Sequence, residues 1–179
     1  MVIYQVGAPI LRQVAQPVDP DEPAVRKLAR EMLYTVKSVG GMGLASPQIG
    51  YSWQMLVIAS HPNDRYPYAP LREPFVVINP RILAHSIEME TDWEGCLSVP
   101  NQRAKVERYR HIEVQYLDMQ GREKQEVFSD FMARIFQHEF DHLQGKLFID
   151  RVPMETLVSE AEYRQIVQQT WVQNDLQFS

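Results

Sequence analysis

"FQHEFDHLQG", residues 136–145, is the stretch from which the rest of the chain is read. It sets His138 and His142 four residues apart, with Glu139 directly after the first, in the pattern H-E-x-x-H. Phe131, Ile135, His138 and His142 follow one another at spacings of four, three and four, so on a helix they share one face. The spacing predicts a helix over 130–144. Two imidazoles one turn apart on that face reach a single metal ion. Glu139 lies about 100° further round the axis. It therefore sits beside the ion rather than on it, where a general base toward water belongs. H-E-x-x-H fixes only three positions, and helix histidines can be plain core residues. Two histidines beside bulky apolar neighbours, in a chain with five, favour metal binding.

The surroundings bound the class of protein. At 179 residues the chain reads as one domain, 1–179, with room for a core and a cleft. A net charge of −5 gives no reason to expect DNA or an anionic membrane as main partner. The basic residues between Arg103 and Arg110 alternate with apolar ones and read as the solvated side of a strand. Cys96 is the single cysteine, which excludes an internal disulfide and points to a reducing compartment. The start, "MVIYQVGAPIL", lacks the basic and apolar regions of a signal peptide, and no run reaches the length of a membrane span. The cytoplasm is the expected location.

The first 20 residues read as extended around Pro9, Pro17 and Pro20. A helix follows, with Asp21 as cap and Pro23 in its first turn. Val25, Leu28, Met32, Val36 and Val39 form its apolar stripe, and Gly40 and Gly41 end it. After the loop "GMGLASPQIG", the run "WQMLVIA" reads as a buried strand, and proline-rich 60–74 as a surface loop. Strands are expected at 75–79, 81–90, 104–109, 111–117 and 124–128, and a last helix at 154–172. Strands in the middle with helices at the ends imply an α+β fold: mostly antiparallel strands around a central metal-binding helix, with an N-terminal and a C-terminal helix.

A catalytic metal needs a third protein ligand. The metzincin pattern would place a histidine at position 148, which is Phe148, and no histidine follows His142. Two candidates remain. Glu162 lies 20 residues after His142 in a predicted helix, the thermolysin-like arrangement, although "METLVSEAEYRQ" has the look of a solvated helix face. Cys96 lies upstream in "WEGCLSVP", after a glycine in what reads as a tight polar turn, and a thiolate suits zinc or iron beside imidazoles.

Three stretches together resemble the peptide deformylase family: "GMGLASPQ" (41–48), "EGCLS" (94–98) and "QHEFDH" (137–142). They stand for its motifs G-x-G-x-A-A-x-Q, E-G-C-L-S and Q-H-E-x-D-H. Ser46 departs from the usual alanine, which bears on loop packing rather than on chemistry. "GAPILRQVAQPV" and "LQGKLFIDRV" extend the resemblance over about residues 4–153.

The resemblance implies that Cys96, His138 and His142 hold one divalent metal ion with water as fourth ligand. Ferrous iron is the family's usual metal, with zinc, nickel or cobalt able to replace it. Glu139 is then the general acid/base, and the Gln48 amide and the Leu97 N–H stabilise the oxygen of the carbonyl under attack. The substrate is the N-formyl-methionyl end of a newly made chain, from which formate is released. The backbone near Met42, Gly43 and Gly95 pairs with the extended peptide. Met42, Phe131, Ile135 and His138 line the methionine pocket, and Arg103 lies near the peptide's first residues or is a plain strand-end charge. Asp141 faces away from the metal on helical geometry and reads as a packing or supporting residue.

Two rivals stand beside this reading: a thermolysin-like zinc endopeptidase using Glu162, and a paralogue that binds formyl peptides without hydrolysing them. Helices at the C-terminus of this family can bring the enzyme to the ribosome, a transient partner. Here "SEAEYRQIVQQTWVQNDLQFS" carries one arginine and no basic stripe, so docking on phosphates from this segment is weak.

Overall fold

The computed structural model describes residues 1–177, with side chains through residue 169. Its strands, in chain order, are β1 (Gly43–Ala45), β2 (Met55–Ile58), β3 (Phe75–His85), β4 (Met89–Cys96), β5 (Val99–Tyr109), β6 (His111–Leu117), β7 (Glu123–Ser129) and β8 (Val158–Ser159). The helices are α1 (Pro23–Ser38), α2 (Asp130–Leu143) and α3 (Glu160–Gln177). One sheet runs β1-β2-β3-β6-β7 and the other β4-β5-β8, and every ladder within them is antiparallel. This is the expected α+β arrangement.

β2 explains why α2 ends up central. Its four residues "MLVI" are all buried. Strand alternation sends Met55 and Val57 to the α1 side, where they meet Leu28, Met32 and Val36. Leu56 and Ile58 go to the other face, against Phe131, Ile135 and Phe136 of α2. A continuous apolar run is thus shared between two helices. Phe136 is fully buried, worth about 1.5–3 kcal/mol on its own. The far side of the second sheet closes with Val99, Ala104 and Val106 against Leu147 and Phe148.

Several boundaries differ from the sequence reading. The cap of α1 is Glu22 rather than Asp21, whose carboxylate pairs with Arg26. The strand expected at 81–90 is divided: β3 ends at His85, and Ser86 turns the chain by bonding Glu88 O. "WEGC" belongs to the end of β4 instead of a polar turn. The last helix begins at Glu160, after a 3-10 turn at Met154–Thr156 and the short β8, and runs to Gln177. Loop 60–74 is not merely superficial, since Tyr66 and Ala69 are buried in it. The basic stretch is not all solvated either: Arg103 and Arg108 are 6% and 2% exposed. Arg108 shares its strand face with Ala104 and Val106, and it is drawn inward by the carboxylates described next.

Candidate metal centre

Helix α2 and the end of β4 bring the metal-type donors together. One donor atom each from Cys96, His138 and His142 lies within 4.8 Å of the others. His142 Nε2 is 3.2 Å from Cys96 Sγ. The ladder register shifts between Glu94 and Cys96, and the Ser98 N–H then turns back onto Sγ at 3.4 Å. Burial alone would push the Cys96 thiol up, yet the His142 and His138 imidazoles hold it well below its ordinary value. His138 is correspondingly held well above its own: burial opposes the charge, but Cys96 and Glu94 favour it. The two imidazoles thus favour the thiolate, the form that ligates a metal.

The orientation of His138 is set by Glu94. The Glu94 carboxylate accepts from His138 Nδ1 at 2.9 Å, leaving Nε2 for the centre. The same carboxylate, 4% exposed, accepts a two-pronged Arg108 pair at 2.9 Å each and Arg134 at 3.0 Å. Burial disfavours its charge, but Arg108 and His138 keep it ionised and hold its pKa far below the carboxylate range. Asp141 completes the lattice by accepting from Arg108 at 2.6 Å and from Arg151 at 2.5 Å. It therefore faces away from the donors, as helix geometry required. A charge lattice this buried is held by mutual compensation, and removing one member leaves an uncompensated ion.

Glu139 is 5% exposed, and its Oε2 has no hydrogen-bond partner among the described residues. Burial pushes its carboxyl up to about 7, against the opposing pull of His138 and His142. The carboxylate fits because position 43 is glycine: a Cβ on Gly43 would collide with it. Gln48 lies in the 3-10 turn Ser46–Ile49. The Ala45 N–H fixes its Oε1 at 2.8 Å, so that Nε2 points to Ser98 Oγ at 3.2 Å and Cys96 Sγ at 3.5 Å. Ser46, the departure in this loop, is buried and donates its hydroxyl to Trp53 O at 2.5 Å, so the added polar atom is satisfied.

A cavity of about 400 Å³ opens onto these groups. Cys96, His138, Glu139, Gln48 and Leu97 line it at the donor end. Met42, Gly43, Gly95, Arg103, Phe131 and Ile135 line it as well. His142 lies behind, in contact with Cys96 Sγ. Tyr66, Trp93 and Glu160 also border the cavity and were not singled out in the sequence. Tyr66 packs on Phe131 with ring centroids 5.0 Å apart, so loop 60–74 forms a wall. Arg103 donates to Tyr66 Oη at 3.0 Å and to Glu160 at 2.7 Å. Its guanidinium fills the space where a Cβ on Gly95 would stand.

Glu162 is elsewhere. It is exposed and accepts from the Ser159 N–H and hydroxyl at 2.7 Å each, while its own N–H returns to Ser159 Oγ at 3.2 Å. That is a capping box for α3, not a metal ligand. The endopeptidase arrangement built on Glu162 is thereby overturned.

The donor set suits a divalent metal on chemical grounds. It pairs one thiolate with two imidazoles, His138 is preset by a carboxylate, and a buried carboxylate oxygen beside them is left without a partner. Comparison with known proteins agrees. The family model described as polypeptide deformylase matches residues 1–157. A Nostoc protein named peptide deformylase 2 is 47% identical over 167 residues, covering 92% of this chain and 93% of its own. A Dictyoglomus thermophilum peptide deformylase is 41% identical, covering 88% and 96%. Among solved structures, a class I type b peptide deformylase from Acinetobacter baumannii with Met-Ala-Ser bound superimposes with a TM-score of 0.82 at 42% identity, covering 84% of this chain and 96% of its own. Likeness running through most of the chain, in sequence and in three dimensions, makes this protein a member of the polypeptide deformylase family.

Proposed function

We propose that the chain hydrolyses the formyl group from N-formyl-methionyl ends of newly made polypeptides, with Cys96, His138 and His142 holding one divalent ion. The observation that carries the reading is the unpartnered Glu139 carboxylate oxygen, buried beside that donor set at the closed end of the cleft. Ferrous iron is the ion proposed for the cell, with zinc, nickel or cobalt able to take its place. Such an ion, when bound, supplies a Lewis acid and a water whose pKa is brought toward about 7.

The chain's own residues do the rest. Glu139, protected from solvent, takes a proton from the attacking water at its carboxylate and returns it to the leaving amine nitrogen. Gln48 Nε2, pre-aimed by the Ala45 N–H, and the Leu97 N–H donate to the formyl oxygen as negative charge develops there. Met42 and Gly43 on one side and Gly95 on the other pair with the extended peptide backbone, which carries no sequence information. Met42, Phe131, Ile135 and His138 receive the methionine side chain, while Arg103 stands further along the cleft. We place this work in the cytoplasm, by the whole chain 1–179 as one catalytic domain, with the ribosome as a transient partner.

Two consequences arise directly. Gln48→Ala should lower kcat about a hundredfold while the bound metal per chain stays unchanged, because one pre-aimed donor is lost. Glu94→Gln should weaken metal affinity by about 10–100-fold, measured by competition with a chelator, because His138 loses its charged partner.

The test of the reading uses protein purified without oxygen and loaded separately with iron, zinc, nickel or cobalt. Formate release from formyl-Met-Ala-Ser is expected, highest with iron. Full metal occupancy without formate release would overturn it, and tight formyl-peptide binding without turnover would identify the non-catalytic paralogue instead.

A further inference from the structure

The mouth of the cleft carries charges for which the hydrolysis has no use. On the bank formed by the end of the 40–43 segment stands Arg65, whose Nη2 donates to Gly40 O at 3.3 Å. Among the described residues no carboxylate pairs with it, and Asp64, its neighbour in sequence, does not line the cleft. Arg103 and Arg164, which line the same cleft, share one carboxylate, Glu160, at 2.7 and 3.3 Å. Of the acids deeper in, Glu94 is compensated by Arg108 and Arg134, and Glu139 lies at the closed end. Three guanidinium groups, Arg65, Arg103 and Arg164, therefore line this cleft with Glu160 as the carboxylate that offsets them. The excess is local and opposes the chain's overall charge of −5.

The opening holds one fixed guanidinium and two adjustable ones. Arg103 is clamped by Tyr66 and Glu160, lies 5.0 Å over the Tyr163 ring, and is packed against Gly95. Arg164 is 70% exposed in its side chain and, among the described residues, has only the longer bond to Glu160. A shared carboxylate leaves Arg164 free to bond a second anion without losing its helix position. Arg65 is exposed as well.

We propose that this mouth selects among formyl-methionyl peptides by charge, favouring an acidic side chain downstream of the methionine and disfavouring a basic one, with Arg65 and Arg164 as the selecting residues. The inference rests on the peptide path given under Proposed function, in which an extended chain leaves the metal end through this mouth. Main-chain pairing alone is indifferent to sequence. Exposed charge pairs add a modest, salt-sensitive preference that is absent from that pairing. Glu160 keeps the selectivity moderate by cancelling one of the three positive charges. The first turn of α3 thereby becomes part of the substrate cleft rather than a bare terminal appendage.

Carboxamide tripeptides test this, since they carry no terminal carboxylate of their own. Formyl-Met-Ala-Ser, formyl-Met-Ala-Glu and formyl-Met-Ala-Lys are compared in kcat/KM, and the deformylated Met-Ala-Glu and Met-Ala-Lys in affinity by calorimetry. The glutamate peptide should exceed the lysine peptide by about fivefold at low ionic strength, chiefly through KM, with a similar ratio in affinity. High salt and the double variant Arg65→Gln/Arg164→Gln should each bring both ratios close to one. A ratio at or below one in the natural protein overturns the proposal, as does a ratio that the double variant leaves unchanged. If the metal-loaded protein turns over none of the three formyl peptides, the proposed hydrolysis has failed instead, and the affinity ratio alone decides the charge selection.

Discussion

Glu139→Gln is expected to lower kcat by about a thousandfold while the protein keeps one metal ion per chain. The amide has the volume of the carboxylate and fits beside Gly43, where even a methyl group would collide, so the cleft keeps its shape. What disappears is the group that accepts and returns the proton. The pH profile separates this from a packing defect. In the natural protein the carboxylate form does the accepting, so kcat/KM falls as acid protonates Glu139, whose pKa burial raises. In the variant that acid limb should vanish and a low, flat rate remain. Retention of more than about a tenth of the natural kcat would remove Glu139 from the chemistry.

Cys96→Ala should abolish both metal retention and formate release. Two imidazoles remain, but the thiolate that the surrounding groups stabilise is lost, and His142 Nε2 loses its neighbour at 3.2 Å. The weakening should exceed the roughly 10–100-fold that loss of a supporting partner costs. Metal content after desalting and formate release read the two effects independently. Glu162→Ala is the companion variant: its carboxylate caps α3, so metal content and activity should stay near natural levels. Metal loss in the Glu162 variant with retention in the Cys96 variant would reverse the assignment of the third ligand.

The sequence was informative wherever one residue's neighbours along the chain decide its environment. The 3.6-residue period places His138 and His142 together and turns Asp141 away, and α2 obeys it. Strand alternation predicts β6 to within a residue and explains the buried run of β2. Motif order joined Cys96 to the histidines across a separation that no local pattern spans.

Other features depend on tertiary partners that a linear pattern does not reveal. Arg108 looked solvated because it is charged, yet it lies in phase with Ala104 and Val106, and only Glu94 and Asp141 arriving from other elements make its burial tolerable. That phase was the available signal for it. For Glu94 the signal was weaker: it stood within a quoted motif, but nothing along the strand showed that His138 would reach it. The glycines show the same limit. Gly43 and Gly95 read as openings for a ligand, whereas their immediate spatial neighbours are the Glu139 carboxylate and the Arg103 guanidinium. Glu162 was the opposite case. Ser159 three residues before it is a local helix-cap signal that the sequence reading did not use, and it would have set Glu162 aside.

The most direct test of the central claim is the product spectrum of one long formyl-methionyl peptide incubated with the iron-loaded protein under anaerobic conditions and resolved by mass spectrometry. The thiolate–imidazole centre with Glu139 predicts a single product that has lost only its formyl group, with an equal amount of formate and a free methionine amino end. Fragments cut at internal peptide bonds, or an intact formyl peptide in the presence of a fully loaded centre, would contradict it.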